Sequence, residues 1–334
     1  MKAIIYKGPN DVACEQTVEP VVNENEVLIK VSHAGICGSD LNIYLGVHPR
    51  AKAPLVLGHE FSGYVVNGDE QLPTGTKVCV RPLISCGKCS ACESGNSHVC
   101  KTLKLYGIDT AGGMAEYVKV DRSKIHVLPN DFPMDLGAFV EPLAVGIHAV
   151  ARTPFKIGDS VVVFGAGTIG LCVASVLKLA GAKQVIVIET NDFRINLAKD
   201  LGFTVINPKK DDVLNTVLKL TNQVGADIVY DCAAHPSVAL QLTDLVRVQG
   251  TIEIVGSYKK PTEFKLLDIE FKELNIIGTR VYEARDFETA IQFIQQDFPY
   301  KKLLTILPPE EAKQGFANAL TGENVIKTIF KFSD

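Results

Sequence analysis

Between Val161 and Gly170 the chain reads VVVFGAGTIG: four apolar residues of strand type, then Gly165-Ala-Gly167, then helical spacing. Few folds accept this order. The first glycine allows a sharp turn, the second lets backbone N–H groups approach a pyrophosphate at a helix N-terminus, and the third lets helix pack on strand. A second strand-like run ends at Glu189, nineteen residues past Gly170, where a dinucleotide fold places the acid that binds an adenosine ribose hydroxyl. A 2′-phosphate would meet like charge at Glu189, so the pattern predicts NAD over NADP, although Arg194 close by is a group that accepts phosphate.

The surrounding pattern agrees. Val161–Phe164, Val185–Glu189, Asp227–Asp231 and Thr251–Val255 are apolar runs of strand length, and Ile169–Ala180 and Phe193–Leu201 carry helical spacing between them. Such alternation predicts a doubly wound parallel sheet of Rossmann type. The N-terminal part differs. Glu26–Val31 and Lys77–Val80 alternate between apolar and polar residues, and Gly and Pro turns separate such runs, as in a small antiparallel β domain. After Thr279 the spacing predicts one helix, Asp286–Gln296, then mixed segments and a last strand, Thr328–Phe332. That tail is too short for a domain and is expected to return to the first one.

Composition narrows the function. The 334 residues suit two domains, and a 46% hydrophobic content fills two cores. The net charge of −4 comes without a clustered basic stripe, which argues against nucleic acid as partner. Apolar runs are too short to span a bilayer, so no membrane is expected. The opening MKAIIYKGPNDV reads as strand and turn rather than as a secretory leader. A cytoplasmic location follows as an expectation, and there thiols stay reduced.

That bears on Cys86, Cys89, Cys92 and Cys100, four of nine cysteines, spaced C-x2-C-x2-C-x7-C in a polar loop. Four thiolates close a tetrahedron around zinc and leave no open position, which makes a structural site. An iron–sulfur cluster takes the same ligands, reduced surface thiols are the plain alternative, and His98 is a possible substitute ligand. Cys37 in GICGSD, His59 and Glu60 in GHEFSG, and Glu141 in FVEPL each have a duller explanation when taken singly, as core packing or a turn.

Together with GGMAEYV, EPLAVGIHA, GAGTIG and the closing VIKTIFKF, these segments resemble, in order and over essentially the whole chain, the zinc-dependent medium-chain dehydrogenases. The likeness is to their polyol and sugar-acid branch, the sorbitol, threonine and hexonate dehydrogenases. The resemblance implies an α/β chain with a GroES-like β-rich catalytic domain over 1–146 and 281–334. It also implies a Rossmann NAD-binding domain over 147–280, the active site between them, and a homodimer or homotetramer. It implies a catalytic zinc on Cys37, His59 and Glu141, with Glu60 binding transiently or through water, beside the structural zinc. Asp40 matches an acid that orients His59, and Lys327 a basic partner of Glu60. Ser39 matches the hydroxyl that takes the substrate proton. Gly165, Gly167, Thr168, Ile169 and Gly170, with Glu189, Arg194 and Arg280, make the expected cofactor site.

One position departs from the family pattern. Several relatives carry a proton-relaying His where this chain has Asn42, whose amide does not titrate near neutral pH. His48 is a candidate replacement and equally a loop residue. Asn42, Tyr44, Arg50, Tyr106 and Arg280 are candidate pocket groups for a hexonate or polyol. A threonine or butanediol dehydrogenase, or a dinucleotide-binding regulator without turnover, is the alternative reading. Asp231-Cys-Ala-Ala-His235, after a strand, should face the cofactor; its Cys and His lack an orienting acid for nucleophilic catalysis.

Overall fold

A computed structural model describes residues 1–333. The chain divides into two compact units, Met1–Glu141 together with the stretch from Glu283 onward, and Pro142–Tyr282.

The first unit is built on a sheet whose strands lie in the order Ile125–Val127, Lys77–Val80, Glu60–Val65, Glu26–Gly35, Lys327–Lys331 and Leu304–Leu307. Tyr117–Asp121 also pairs with the long strand Glu26–Gly35. That strand alternates buried and less buried residues at its start and is buried throughout at its end. The change marks where neighbours cover both faces. Two registers fix one end of this sheet: Gly35 faces Glu60 on one side and Ile329 on the other, both antiparallel. The strands of the N-terminal part pair antiparallel, as the pattern predicts, and the tail adds a parallel pair, Leu304–Leu307 and Lys327–Lys331.

The tail departs from expectation. It holds two helices, Ala284–Ile294 and Ala312–Thr321, where the spacing predicted one. The second escaped notice because its core face is thin: only Ala312, Gly315 and Phe316 are buried. A glycine in a helix interior argues against a helix unless packing requires it. Here it does, since a Cβ on Gly315 would stand 2.7 Å from the Phe330 ring.

The second unit is a six-stranded, all-parallel sheet in the order Thr204–Ile206, Gln184–Ile188, Ser160–Phe164, Ala226–Asp231, Val246–Ile254 and Asn275–Gly278. Every residue of Ser160–Phe164 is buried, as a central strand between two helical layers must be. Val162, Phe164, Ile186, Val229 and Ile252 form one core with Val217, Leu242 and Leu245. None of the helices among the described residues is long and apolar enough to cross a membrane.

One buried acid in this unit carries no hydrogen bond. Both carboxylate oxygens of Glu253, on Val246–Ile254 opposite Tyr230, lack a partner. Burial pushes its pKa up to about 8, with Arg152 pulling the other way. The folded chain therefore holds a proton that the unfolded chain gives up near the ordinary value of 4.5. Stability is fully present below that pH and declines as pH rises through about 8. Glu253→Gln keeps the shape and removes the titration. Its urea unfolding free energy should match the parent at pH 4.5 and exceed it at pH 8.5, on the order of a few kcal/mol. A gap that stays constant with pH would place the proton elsewhere.

Candidate functional site

The strand registers explain how residues far apart in sequence meet. Cys37 lies two residues past the end of Glu26–Gly35, and His59 lies one before Glu60–Val65. Since Gly35 faces Glu60 and Ile329, continuing both pairings brings Glu60 and Lys327 to the same sheet end as Cys37. The bond from Ile36 N–H to Thr328 O, 3.0 Å, carries the second pairing one step further. The ligand atoms of Cys37, His59 and Glu60 lie within 4.8 Å of one another. Gly35 must be glycine here, because a Cβ would fall 2.3 Å from Glu60 Oε2.

Each side chain is held from behind. Cys37 caps the helix Gly38–Tyr44, and Asp40 Oδ2 accepts the Cys37 N–H at 2.9 Å. Asp40 Oδ1 stands 3.8 Å from His59 Nδ1, too far for a hydrogen bond, and neither atom has another hydrogen-bond partner. Metal-bound histidines donate their second nitrogen to such a carboxylate, so the arrangement suits ligation through Nε2. Ser39 Oγ lies 3.4 Å from that Nε2. Lys327, itself buried, forms an ion pair with buried Glu60 and donates to Ile36 O at 2.8 Å.

The electrostatics ask for a cation. Burial disfavours a charged imidazole at His59, yet the charges of Asp40, Cys37 and Glu141 outweigh it and hold its pKa well above the ordinary value. Burial raises the pKa of Asp40, against the pull of His59. A thiolate, an imidazole and a carboxylate around one point form a donor set that suits zinc with an open position. Glu141 is buried in the first turn of helix Val140–Arg152, and its charge acts on His59 and Lys327. It is not among the three whose ligand atoms meet within 4.8 Å.

Lys327 offers a direct test of this packing. Lys327→Met leaves the Glu60 carboxylate buried without its partner, and breaking a buried pair in this way costs about 3–5 kcal/mol. The unfolding free energy of the variant should fall by that margin, moving its urea midpoint down. An unchanged midpoint would mean that Glu60 is neutral in the fold.

The four clustered cysteines also converge, with all four sulfurs within 4.8 Å of one another. Cys89 Sγ is 3.6 Å from Cys92 Sγ and 3.9 Å from Cys100 Sγ. Zinc–sulfur bonds of about 2.3 Å put the corners of a tetrahedron about 3.8 Å apart, so these separations fit one ion. Backbone N–H groups favour two of the thiolates, while burial pushes the Cys92 thiol up to about 11. The N–H groups of Lys101 and Cys86 lead in lowering the pKa values of Cys89 and Cys100 respectively. His98 is buried beside them but outside the sulfur group.

In the second unit a cavity of about 450 Å³ opens at the carboxyl ends of the parallel strands. Gly165, Gly167, Glu189 and Arg194 line it, together with Cys232, Ala233 and His235 from the segment after Ala226–Asp231. Gly165 has φ +92°, and a Cβ on Gly170 would strike Gly165 O at 1.8 Å, so strand, loop and helix need glycine at both positions. Buried Glu189 accepts from Ala166 N at 2.8 Å, Thr190 N at 2.6 Å and Asn191 N at 2.9 Å. It therefore braces the glycine loop as well as facing the cavity. The Arg194 guanidinium lies over Gly167, Nη1 being 3.7 Å from a Cβ built there. Thr168 and Ile169 open the helix Thr168–Leu179 and are not in the lining; nor is exposed Arg280, two residues past Asn275–Gly278.

Other expected pocket groups have structural partners. Arg50 donates to Leu103 O at 2.6 Å and pairs with Asp109 at 3.2 Å. The Tyr44 ring packs at a tilt against Phe316, centroids 5.5 Å apart. Tyr106 accepts from Asp121 N and lines a different cavity, beside Met1 and Lys119. His48 Nδ1 faces the N–H groups of Arg50 and Ala51, both at 3.3 Å, which suits a loop residue. Asn42 is half-buried on the helix after Cys37. Pro208 and Gln241, absent from the expected cofactor site, also line the 450 Å³ cavity. Pro208 follows the strand Thr204–Ile206, and that position alone could have flagged it, since open parallel sheets bind ligands beyond their carboxyl ends.

Known proteins share this architecture. Residues 23–130 match the alcohol dehydrogenase GroES-like domain, and residues 168–296 match the zinc-binding dehydrogenase family. The chain is 40% identical over 80% of both sequences to 2-dehydro-3-deoxy-L-galactonate 5-dehydrogenase of Pseudoalteromonas atlantica. It is 38% identical to L-threonine 3-dehydrogenase of Bacillus licheniformis, over 95% of this chain and 94% of the relative. The crystal structure of 2R,3R-butanediol dehydrogenase from Bacillus subtilis matches over 99% of both chains, with a TM-score of 0.92 and 30% identity. With matches of this extent across both units, the chain belongs to the zinc-binding, GroES-like medium-chain alcohol dehydrogenases, oxidoreductases that act on CH–OH groups.

Proposed function

We propose that the chain oxidises a secondary hydroxyl of a polyol or sugar acid, passing hydride to NAD, with one zinc at Cys37, His59 and Glu60 and a second at the four cysteines. Glu141 completes the first site as an approaching carboxylate. The observation that carries this is the meeting of Cys37, His59 and Glu60 within 4.8 Å, with Asp40 and Lys327 behind them.

When bound, zinc supplies Lewis acidity that lowers the pKa of the substrate hydroxyl. The chain's own residues do the rest. Ser39 Oγ accepts the hydroxyl proton, and Asp40 holds the His59 ring in register. Hydride leaves the carbinol carbon for the nicotinamide, so alcohol and NAD⁺ become ketone, NADH and one proton. Asn42 cannot carry that proton onward. It leaves through water or a ribose hydroxyl. In the second unit, the cavity at Gly165, Gly167 and Glu189 holds the adenosine end of the dinucleotide, where the Glu189 charge favours NAD over its 2′-phosphorylated form. Arg194 and Arg280 are the cations proposed to meet the cofactor's other groups.

A sugar acid as substrate is supported by the 40% identical relative named for one. Steady-state assays of hexonates, pentitols, L-threonine and 2R,3R-butanediol with NAD and NADP test the reading. A hexonate or pentitol should give the highest kcat/KM. Preference for threonine or butanediol would move the chain to another substrate on the same scaffold. NAD binding without reduction by any of them would make it a dinucleotide-binding regulator.

A further inference from the structure

Asp231 ends the strand Ala226–Asp231 and is fully buried, yet it lies outside the lining of the cavity next to it. Its Oδ1 accepts the N–H groups of Ala233 at 3.0 Å and Ala234 at 2.9 Å. Its Oδ2 accepts the Tyr258 hydroxyl at 2.6 Å. Its backbone carbonyl accepts Val255 N–H at 3.0 Å and Gly256 N–H at 2.8 Å. The two loops beyond neighbouring strands are thus fastened to one residue. Ala234 is held at φ +49°, a conformation that a residue with a Cβ adopts when its surroundings impose it. The fastened segment supplies Cys232, Ala233 and His235 to the wall of the cavity that Glu189 also lines. Tyr258 does not line that cavity.

We propose that the Tyr258 hydroxyl, through Asp231, latches the 232–238 segment in its cofactor-binding shape, so that Tyr258 sets dinucleotide affinity without touching the dinucleotide. The proposal rests on the reading of this cavity as the NAD site. Without the hydroxyl, Oδ2 of a buried carboxylate loses its only side-chain donor among the described residues. A buried charged acceptor left short of a donor draws in water or moves towards it. The turn at Ala233 and Ala234 then loosens, and binding must order it again. Burial and the Asp231 charge keep the Tyr258 phenol protonated as a donor, its pKa lying well above the ordinary value.

The test is Tyr258→Phe in the full zinc-loaded chain, which keeps the ring and removes one oxygen. NAD dissociation constants come from calorimetry, and amide hydrogen exchange follows Ala233 and Ala234 with and without NAD. We expect the variant to bind NAD about tenfold more weakly, a change of about 1.4 kcal/mol. The KM for NAD should rise alongside, and kcat at saturating NAD and the KM for the alcohol should stay within twofold. The two amides should exchange faster in the free variant and regain protection with NAD. An unchanged dissociation constant, or a fall in kcat matching the rise in KM, would overturn the latch. If the parent binds NAD while these amides gain no protection, the cavity assignment itself fails and the latch with it.

Discussion

Cys37→Ala should lower kcat by about 10³-fold or more while the chain keeps its fold. The size follows from chemistry. A metal polarising a substrate oxygen supplies several kcal/mol of transition-state stabilisation, and each 1.36 kcal/mol is a factor of ten. The persistence of the fold follows from geometry. Asp40 Oδ2 accepts the backbone N–H of residue 37, which alanine retains, and the half-buried thiol fills no core position. Glu60 keeps its partner Lys327. Zinc content should fall by one ion per chain, with the urea midpoint close to that of the parent. A variant that cannot fold would show that the two metal roles are reversed. Full activity would remove Cys37 from the chemistry.

The second large effect belongs to the four-cysteine segment. Between Ser85 and Cys100 only His98 and Cys100 are buried, and the helical turn Ser90–Glu93 buries nothing. A segment with so little apolar surface has no core of its own to hold it. On the proposed reading of this segment as a zinc site, its order comes from the ion. Structural zinc contributes about 10–16 kcal/mol of folding free energy in small zinc-finger peptides. Cys100→Ala removes the sulfur that accepts Cys86 N–H at 3.3 Å and stands 3.9 Å from Cys89 Sγ. The segment should then open, and trypsin should cut at the exposed Lys88 and Lys101 faster than in the parent. Metal analysis should show loss of one zinc per chain. Resistance to trypsin in the variant would mean that packing alone holds the segment. Iron in place of zinc would identify a cluster instead.

Legible from sequence was whatever one stretch of chain decides for itself. The glycine loop and Glu189 sit on neighbouring strands joined by one helix, so their spacing alone carried the geometry. The four cysteines fall within one short segment. The meeting of Cys37, His59, Glu60 and Lys327 depends instead on antiparallel registers between strands far apart in sequence, and only resemblance pointed to it. Helix Ala312–Thr321 was hidden by its own glycine, whose purpose appears only when Phe330 lies against it. Arg50 and Tyr106 looked like pocket groups because their chemistry suits one. Their hydrogen bonds to Leu103 O and from Asp121 N are tertiary facts that no local pattern contains. The bond from Tyr258 to Asp231, 27 residues apart, belongs to the same class.

The split first unit has a consequence for synthesis. Ribosomes release a chain from its N-terminus, and domains tend to fold in that order as they emerge. Cys37, His59 and Glu60 leave the ribosome early, but Lys327 comes after the whole of Pro142–Tyr282. Until translation reaches that lysine, the Glu60 carboxylate lacks this counter-ion and the His33–Gly35 end of the long strand lacks its pairing with Lys327–Lys331. Polypeptides cut short before Lys327 would carry all three converging side chains yet leave the buried Glu60 without its lysine, so the last strand completes what the first sixty residues begin.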